Sequence, residues 1–198
     1  MLNKYMQISD YFRDRIYFSA SDLAQVLKIK PQSAKMLASR YAQKGLLIRL
    51  KKDFYILKER WLNLTTIEFF QIANLLQVPS YISLMTALNY YEITTQMPRD
   101  YIESIAVKRT LKRNINNKNF TYYKLKKTYF SGFTRQGNFF IAQKEKAFID
   151  AVYLYSFGKY RIDLASLDLS KLDLNRIKKM MKNYPTKTKN IIRTICKI

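Results

Sequence analysis

The chain has 198 residues, of which 36 are Lys or Arg and 14 are Asp or Glu, so its formal net charge is +22. Its 48% hydrophobic content suffices for a buried core. No apolar run approaches the roughly 20 residues that cross a bilayer, and no signal peptide is evident. We therefore expect a cytoplasmic protein without a membrane partner. The chain has one cysteine and no histidine, which excludes a disulfide, a Cys/His zinc site and a His-based catalytic couple within one chain. We therefore expect no metal, no cofactor and no catalytic residue.

Three helices are predicted in the first 60 residues. Apolar residues recur at helical spacing over residues 2–12. Ser19 and Asp22 form a capping-box pair that opens a second helix. Pro31 suits the first position of a third helix, because proline has no amide to lose there, and Gly45 follows its end.

A β-hairpin follows the third helix. Residues 46–50 and 54–57 favour strands and flank a Lys-Lys-Asp turn, so the order of elements predicts a winged helix-turn-helix. Helical spacing places Ala34, Leu37, Ala38 and Tyr41 on the inner face of the third helix and leaves an outer face of Gln32, Ser33, Lys35, Met36, Ser39, Arg40 and Gln43. Side chains that can bond to base edges or phosphates lie on this outer face, beside it and on the wing. These DNA-binding candidates are Lys28, Lys30, Gln32, Ser33, Lys35, Ser39, Arg40, Arg49, Lys51 and Lys52. The alternatives are a solvated helix face and a winged helix that serves protein contact.

The remaining residues, 61–198, predict a second, α+β domain. Strands are indicated by alternation at 101–108 and by residues 120–125 and 138–141, with an Asn-rich polar turn between the first two. Helical patterns cover residues 62–76, 81–91 and 143–155 and a basic tail from about residue 173. The predicted chain is therefore α+β, with a winged helix-turn-helix over residues 1–60 and a helix-rich α+β domain with a small antiparallel sheet over residues 61–198.

Positive charge is densest between residues 108 and 127, where no acidic residue occurs. The candidates for a basic surface that contacts nucleic acid are Lys108, Arg109, Lys112, Arg113, Lys124, Lys126 and Lys127. Interleaved aromatic residues could stack on bases, but on a strand they more often face the core, so phosphate contact is favoured. An AT-rich genome, which favours Lys codons, is the alternative source of the charge.

Several segments in this order resemble the AbiEi-type antitoxins. Residues 18–24, 44–47 and 54–55 are similar to the N-terminal domain of that family. Residues 81–91, 105–109 and 141–150 are similar to a helix, a strand and the closing helix of its C-terminal domain. The resemblance covers about residues 5–160, and in the closing helix Glu145, Lys146 and Asp150 match. A helix-face ion pair between Lys146 and Asp150, four residues apart, is the alternative to an active role.

The resemblance implies a type IV toxin-antitoxin or abortive-infection (phage defence) role. The implied protein is a transcriptional autorepressor, a monomer or weak dimer that binds inverted repeats of its own promoter cooperatively. Its implied functional partner is a nucleotidyltransferase-like toxin, which it need not bind stably and which the basic surface could contact instead of nucleic acid. Two other classes stay open: a phosphotransferase-like enzyme that modifies the toxin, against which the lack of a Walker-type loop speaks, and an RNA-binding module.

Overall fold

The computed structural model describes residues 2–96 and 100–198 of an α+β chain that divides into two compact units, Met1–Ile72 and Ala73–Ile198. The sequence predicted a boundary between residues 60 and 61. Residues beyond it still pack within the first unit, because the Trp61 ring meets the edge of the Phe69 ring at 5.1 Å and Arg60 forms an ion pair with Glu68.

The first unit combines helices with a three-stranded antiparallel sheet of order β1-β3-β2. Its elements are α1 (Leu2–Phe12), β1 (Phe18–Ser19), α2 (Ala20–Val26), α3 (Pro31–Gln43), β2 (Leu47–Lys51), β3 (Phe54–Leu57), α4 (Lys58–Leu62) and the first part of α5 (Thr66–Leu76). The helix predicted over residues 62–76 begins at Thr66, and the sequence did not predict α4 before it.

Local signals in the sequence account for the start of α2 and the core beneath it. The amide of Asp22 donates to Ser19 Oγ at 3.0 Å and the amide of Ser19 donates to Asp22 Oδ2 at 2.7 Å, which completes the predicted capping box. The Phe12 and Phe18 rings stack at 4.1 Å in a core that also buries Leu23. This packing holds α2 and α3 against the sheet.

The second unit is built on a six-stranded mixed sheet of order β6-β7-β5-β4-β9-β8. Its strands are β4 (Ser80–Ile82), β5 (Tyr101–Ala106), β6 (Leu111–Ile115), β7 (Lys118–Lys124), β8 (Phe133–Gln136) and β9 (Phe139–Ala142). Its helices after α5 are α6 (Leu84–Tyr90), α7 (Lys144–Ser156), α8 (Leu174–Met180) and α9 (Thr186–Cys196). Four short 3₁₀ turns, 127–129, 164–166, 169–171 and 181–183, connect them.

The prediction of a small antiparallel sheet in this unit is wrong in size and in pairing. Residues 111–115, which the Asn content had indicated as part of a turn, form β6, and within the Asn-rich segment the chain turns at Asn116 and Asn117, with φ of 45° and 67°. Because β6 lies beyond β7 and pairs with it antiparallel, β7 returns beside β5 and pairs with it parallel. β4 and β9 are likewise parallel.

The predicted helix over residues 81–91 begins later than expected. Tyr81 and Ile82 belong to β4, which pairs with β5 on one side and β9 on the other, and α6 begins at Leu84. Hydrogen bonding on both sides thus overrides the helical spacing of the apolar side chains. Among residues 2–96 and 100–198, no helix combines the length and apolarity needed to span a membrane.

Candidate nucleic-acid interface

Helix α3 presents one polar face to solvent. Ala34, Leu37, Ala38 and Tyr41 are buried on its inner face, as their spacing predicted. The predicted outer residues are all exposed: Gln32, Ser33, Lys35, Met36, Ser39, Arg40 and Gln43. The face combines amide, hydroxyl and guanidinium groups, which are the groups that read base edges.

The N-terminal end of α3 is open. Lys30, the N-cap residue, makes no side-chain capping hydrogen bond, and Pro31 occupies the first turn as predicted. The free amides and the positive end of the helix dipole there favour an anion such as a phosphate. Lys28 and Lys30 are both exposed beside this end and add two positive charges.

The hairpin of β2 and β3 supplies further cations, with unequal exposure. Arg49 and Lys52 are exposed, whereas Lys51 is half-buried with its ammonium 4.7 Å from the centre of the Phe54 ring. At the turn, Asp53 has a φ of 63° and its carboxylate lies 3.9 Å from the Lys35 ammonium of α3. The β2–β3 turn therefore carries an acid that partly neutralises the helix face.

In the second unit, the predicted basic surface is divided between a groove and its surroundings. A groove of about 790 Å³, called the basic groove below, is lined by Lys112 of β6, Lys124 of β7, Lys126 and Lys159. The other predicted cations, Lys108, Arg109, Arg113 and Lys127, are not among its lining residues, and Arg113 is half-buried on β6. Sequence patterns did not indicate Lys159, because it lies 33 residues or more from the other lining lysines and reaches them only through the fold.

Aromatic rings line the basic groove beside the lysines. They are Tyr123 of β7, Tyr153 of α7 and Phe157, which follows α7 and is 44% exposed. The Tyr153 ring lies 5.2 Å from that of Phe157 and 5.7 Å from that of Tyr184. Among the aromatic residues of β7, Phe120 and Tyr122 are buried, as strand alternation favours, and Tyr123 reaches this groove.

A buried carboxylate lies behind the Tyr123 wall of the groove. The Tyr123 ring meets Tyr160 edge-on at 5.4 Å, and the Tyr160 hydroxyl donates to Glu103 Oε2 at 2.9 Å. Burial raises the pKa of Glu103 to about 7, although hydrogen bonds from Tyr160 and the amides of Met85 and Thr86 act in the opposite direction. Glu103 is therefore close to half-protonated near neutral pH.

The three matched residues of the closing helix lie in the core. Lys146 and Asp150 form a buried ion pair on α7, as their spacing allowed. Asp150 Oδ2 accepts hydrogen bonds from the hydroxyls of Tyr81 and Ser83, each at 2.9 Å, and Lys146 Nζ donates to Tyr184 Oη at 3.0 Å. Every member of this buried pair cluster, defined as these five residues, is at most 6% exposed.

Burial opposes charge on both partners of the ion pair. It lowers the pKa of Lys146 and raises the pKa of Asp150, and the attraction between the two partly offsets both effects. We take the pair as charged, because Asp150 has two hydroxyl donors besides the ammonium. Such a cluster anchors α7 to β4, the turn after it and the C-terminal segment.

Glu145 is also fully buried and organises the start of α8. Its Oε1 accepts from the amide of Asp173 at 3.2 Å, and its Oε2, which makes no hydrogen bond, lies 3.8 Å from Arg176 Nη1. None of the three matched side chains is therefore accessible to a substrate. Within the described residues, no group of three or more His, Cys, Asp or Glu side chains is arranged to hold a metal ion.

Comparison with known proteins identifies a similar fold but no family. No model of a known protein family matches the chain, and no curated protein matches it either. The fold is similar to that in the crystal structure of the RV2827C protein from Mycobacterium tuberculosis, with a TM-score of 0.63 and 13% sequence identity over 98% of this chain and 76% of that one. At this identity the similarity concerns the fold alone.

Proposed function

We propose that the chain is a DNA-binding autorepressor and the antitoxin of a type IV toxin-antitoxin system, with its first unit acting as a winged helix-turn-helix. α3 is the recognition helix of this proposal, the β2–β3 hairpin is the wing, and the target is double-stranded DNA with inverted repeats in its own promoter. No enzymatic activity is assigned.

The observation that supports DNA binding most directly is the outer face of α3. Gln32 and Arg40 have side chains suited to bidentate contact with adenine and guanine edges, and both are exposed on a helix whose opposite face is buried. Lys28 and Lys30 at its N-terminal end and Arg49 on β2 are exposed and available for phosphates. Side chains that can recognise base edges and side chains that can bind phosphates thus occur together in one unit.

The antitoxin half of the proposal rests on the resemblance of residues 81–91, 105–109 and 141–150 to the AbiEi-type C-terminal domain. Because Glu145, Lys146 and Asp150 are buried, we propose that they hold the second unit in shape rather than perform chemistry on the toxin. Antagonism then acts through the surface of this unit or through repression. A nucleotidyltransferase gene beside this one, and rescue of growth from its product, would support this half.

The experiment that tests DNA binding measures the affinity of the full chain for its upstream DNA and for scrambled DNA across a salt series. Nonspecific phosphate attraction falls steeply with salt, whereas base readout preserves a preference. We expect the preference for the promoter to persist. Changing Gln32, Lys35 and Arg40 together to alanine should abolish it.

A matched control exists on α1 and just after it. Lys4, Gln7 and Arg13 are the same three residue types and are exposed, so their joint change to alanine removes the same charge. This control should keep the promoter preference. Equal losses in the two triple variants, or no preference in the unchanged protein, would contradict readout by α3.

A further inference from the structure

The basic groove of the second unit combines lysines with an exposed aromatic ring. Double-stranded DNA would contact the lysines but would have no use for the ring. Four lysines line the groove and none of the described lining residues is acidic, so it attracts a polyanion. It also exposes the ring of Phe157, beside that of Tyr153. A duplex stacks its bases inside and offers this groove only phosphates, whereas a single strand offers phosphates and base faces.

We propose that the basic groove binds a segment of single-stranded nucleic acid, with its phosphates on the lysines and a base stacked on Phe157. Its volume of about 790 Å³ lies within the roughly 300–1,000 Å³ of sites that enclose small organic ligands. The groove therefore has room for at least one nucleotide unit in contact with the ring and a lysine at the same time.

The rings of the groove are held in place by packing below them. Tyr153 meets Tyr184, whose hydroxyl accepts from Lys146 in the buried pair cluster. Tyr123 is held by Tyr160, which donates to Glu103. A stacking surface that is fixed before binding loses little side-chain entropy on contact with a base, which favours binding. Lys187 lies 5.9 Å from the centre of the Phe157 ring and adds a cation at the same place.

The inference does not depend on the DNA-binding proposal, because the groove lies wholly in the second unit. The probe is a fluorescently labelled single-stranded 12-mer of riboadenylate, with a deoxy 12-mer, an abasic 12-mer and a duplex of the same length as comparisons. We expect the full chain to bind both base-containing single strands more tightly than the abasic strand. The ratio of ribo to deoxy affinity then shows which sugar the groove prefers.

Two variants test the two kinds of group, each with a matched control. Phe157→Leu should weaken binding of the single strand at least about fivefold, because stacking on one aromatic ring contributes roughly 1–3 kcal/mol. The control Tyr155→Leu removes a 42% exposed ring on α7 outside the groove and should leave single-strand affinity unchanged. Changing Lys124 and Lys126 to Gln should reduce the salt slope by about 1.4, and changing the exposed Lys178 and Lys179 of α8 should leave it nearly unchanged.

The outcomes separate this proposal from the DNA-binding one. Single-strand affinity should survive the triple change of Gln32, Lys35 and Arg40, and its loss there would overturn the groove as the site. Equal affinity for the abasic strand would overturn base stacking. The selective single-strand site would be overturned if each groove variant weakened single-strand binding no more than its control did. It would also be overturned if the groove variants weakened duplex binding as much as single-strand binding.

Discussion

Replacing Asp150 by asparagine should destabilise the second unit strongly, because it leaves the Lys146 ammonium in the core without a counter-charge. Removing one partner of a buried ion pair costs about 3–5 kcal/mol. The structure allows an independent limit. Lys146 can escape the unpaired charge by losing its proton, which at pH 7 costs about 5 kcal/mol for a group with an ordinary pKa of 10.5. Both routes give a loss of several kcal/mol.

The stability lost in Asp150→Asn should also depend on pH. In the variant the folded state holds Lys146 neutral while the unfolded state holds it protonated, so the unfolded state binds one more proton and the stability of the variant rises with pH. Relative to the unchanged protein, the deficit should shrink by about 1.4 kcal/mol for each pH unit between 7 and 10.

Urea unfolding followed by far-UV circular dichroism at pH 7 and pH 9 measures both quantities, and hydrogen exchange of the α7 amides assigns the loss to the second unit. The control is Arg13→Met, which breaks the exposed pair with Asp10 and should cost under about 1 kcal/mol. The double change of Lys146 to Met and Asp150 to Leu should cost less than Asp150→Asn alone. A loss for Asp150→Asn no larger than that of the control would refute a charged buried pair. A large loss that does not change with pH would instead refute deprotonation of Lys146 in the variant.

Two further predictions concern pH and backbone conformation. The pKa of Glu103 is raised from 4.5 to about 7 in the folded protein, so the folded state favours its protonated form. The stability that this contributes, at most about 3.4 kcal/mol, is lost as the pH rises from 4.5 to 7. Glu103→Gln should remove this slope from urea midpoints measured at pH 5, 6, 7 and 8, and an unchanged slope would assign it elsewhere. Gly132→Ala should lower the melting temperature more than Gly137→Ala. Both glycines have positive φ, at which a Cβ costs roughly 1–2 kcal/mol, but only at Gly132 would the Cβ approach other side chains, Met180 Cε at 2.7 Å and Lys146 Cγ and Cδ at 3.1 Å. Similar melting temperatures would mean that Met180 and Lys146 move aside without cost.

Elements with strong local signals could be predicted from the sequence. The Ser19–Asp22 capping box and Pro31 lie at the starts of α2 and α3, and the inward face of α3 follows from spacing alone. In each case the signal and the structure that it specifies lie within one helix. The outer face of α3 could therefore be identified residue by residue.

Features that depend on distant pairing could not be predicted in this way. Tyr81 and Ile82 carry helical spacing but pair with two strands that are remote in sequence. The segment 111–115 is polar enough for a loop, yet it forms an edge strand because β7 offers it a hydrogen-bonding partner. The basic groove joins β6, β7 and the end of α7, so Phe157 and Lys159 could not be assigned to it beforehand.

The position of Trp61 has a spectroscopic consequence. It is the single tryptophan of the chain, it is 4% exposed, and it lies in the first unit against Phe69. The second unit has tyrosines but no tryptophan. Emission excited beyond the tyrosine absorption band therefore originates in the first unit alone. The first unit of the intact chain can thus be followed optically without cutting the chain or attaching a dye.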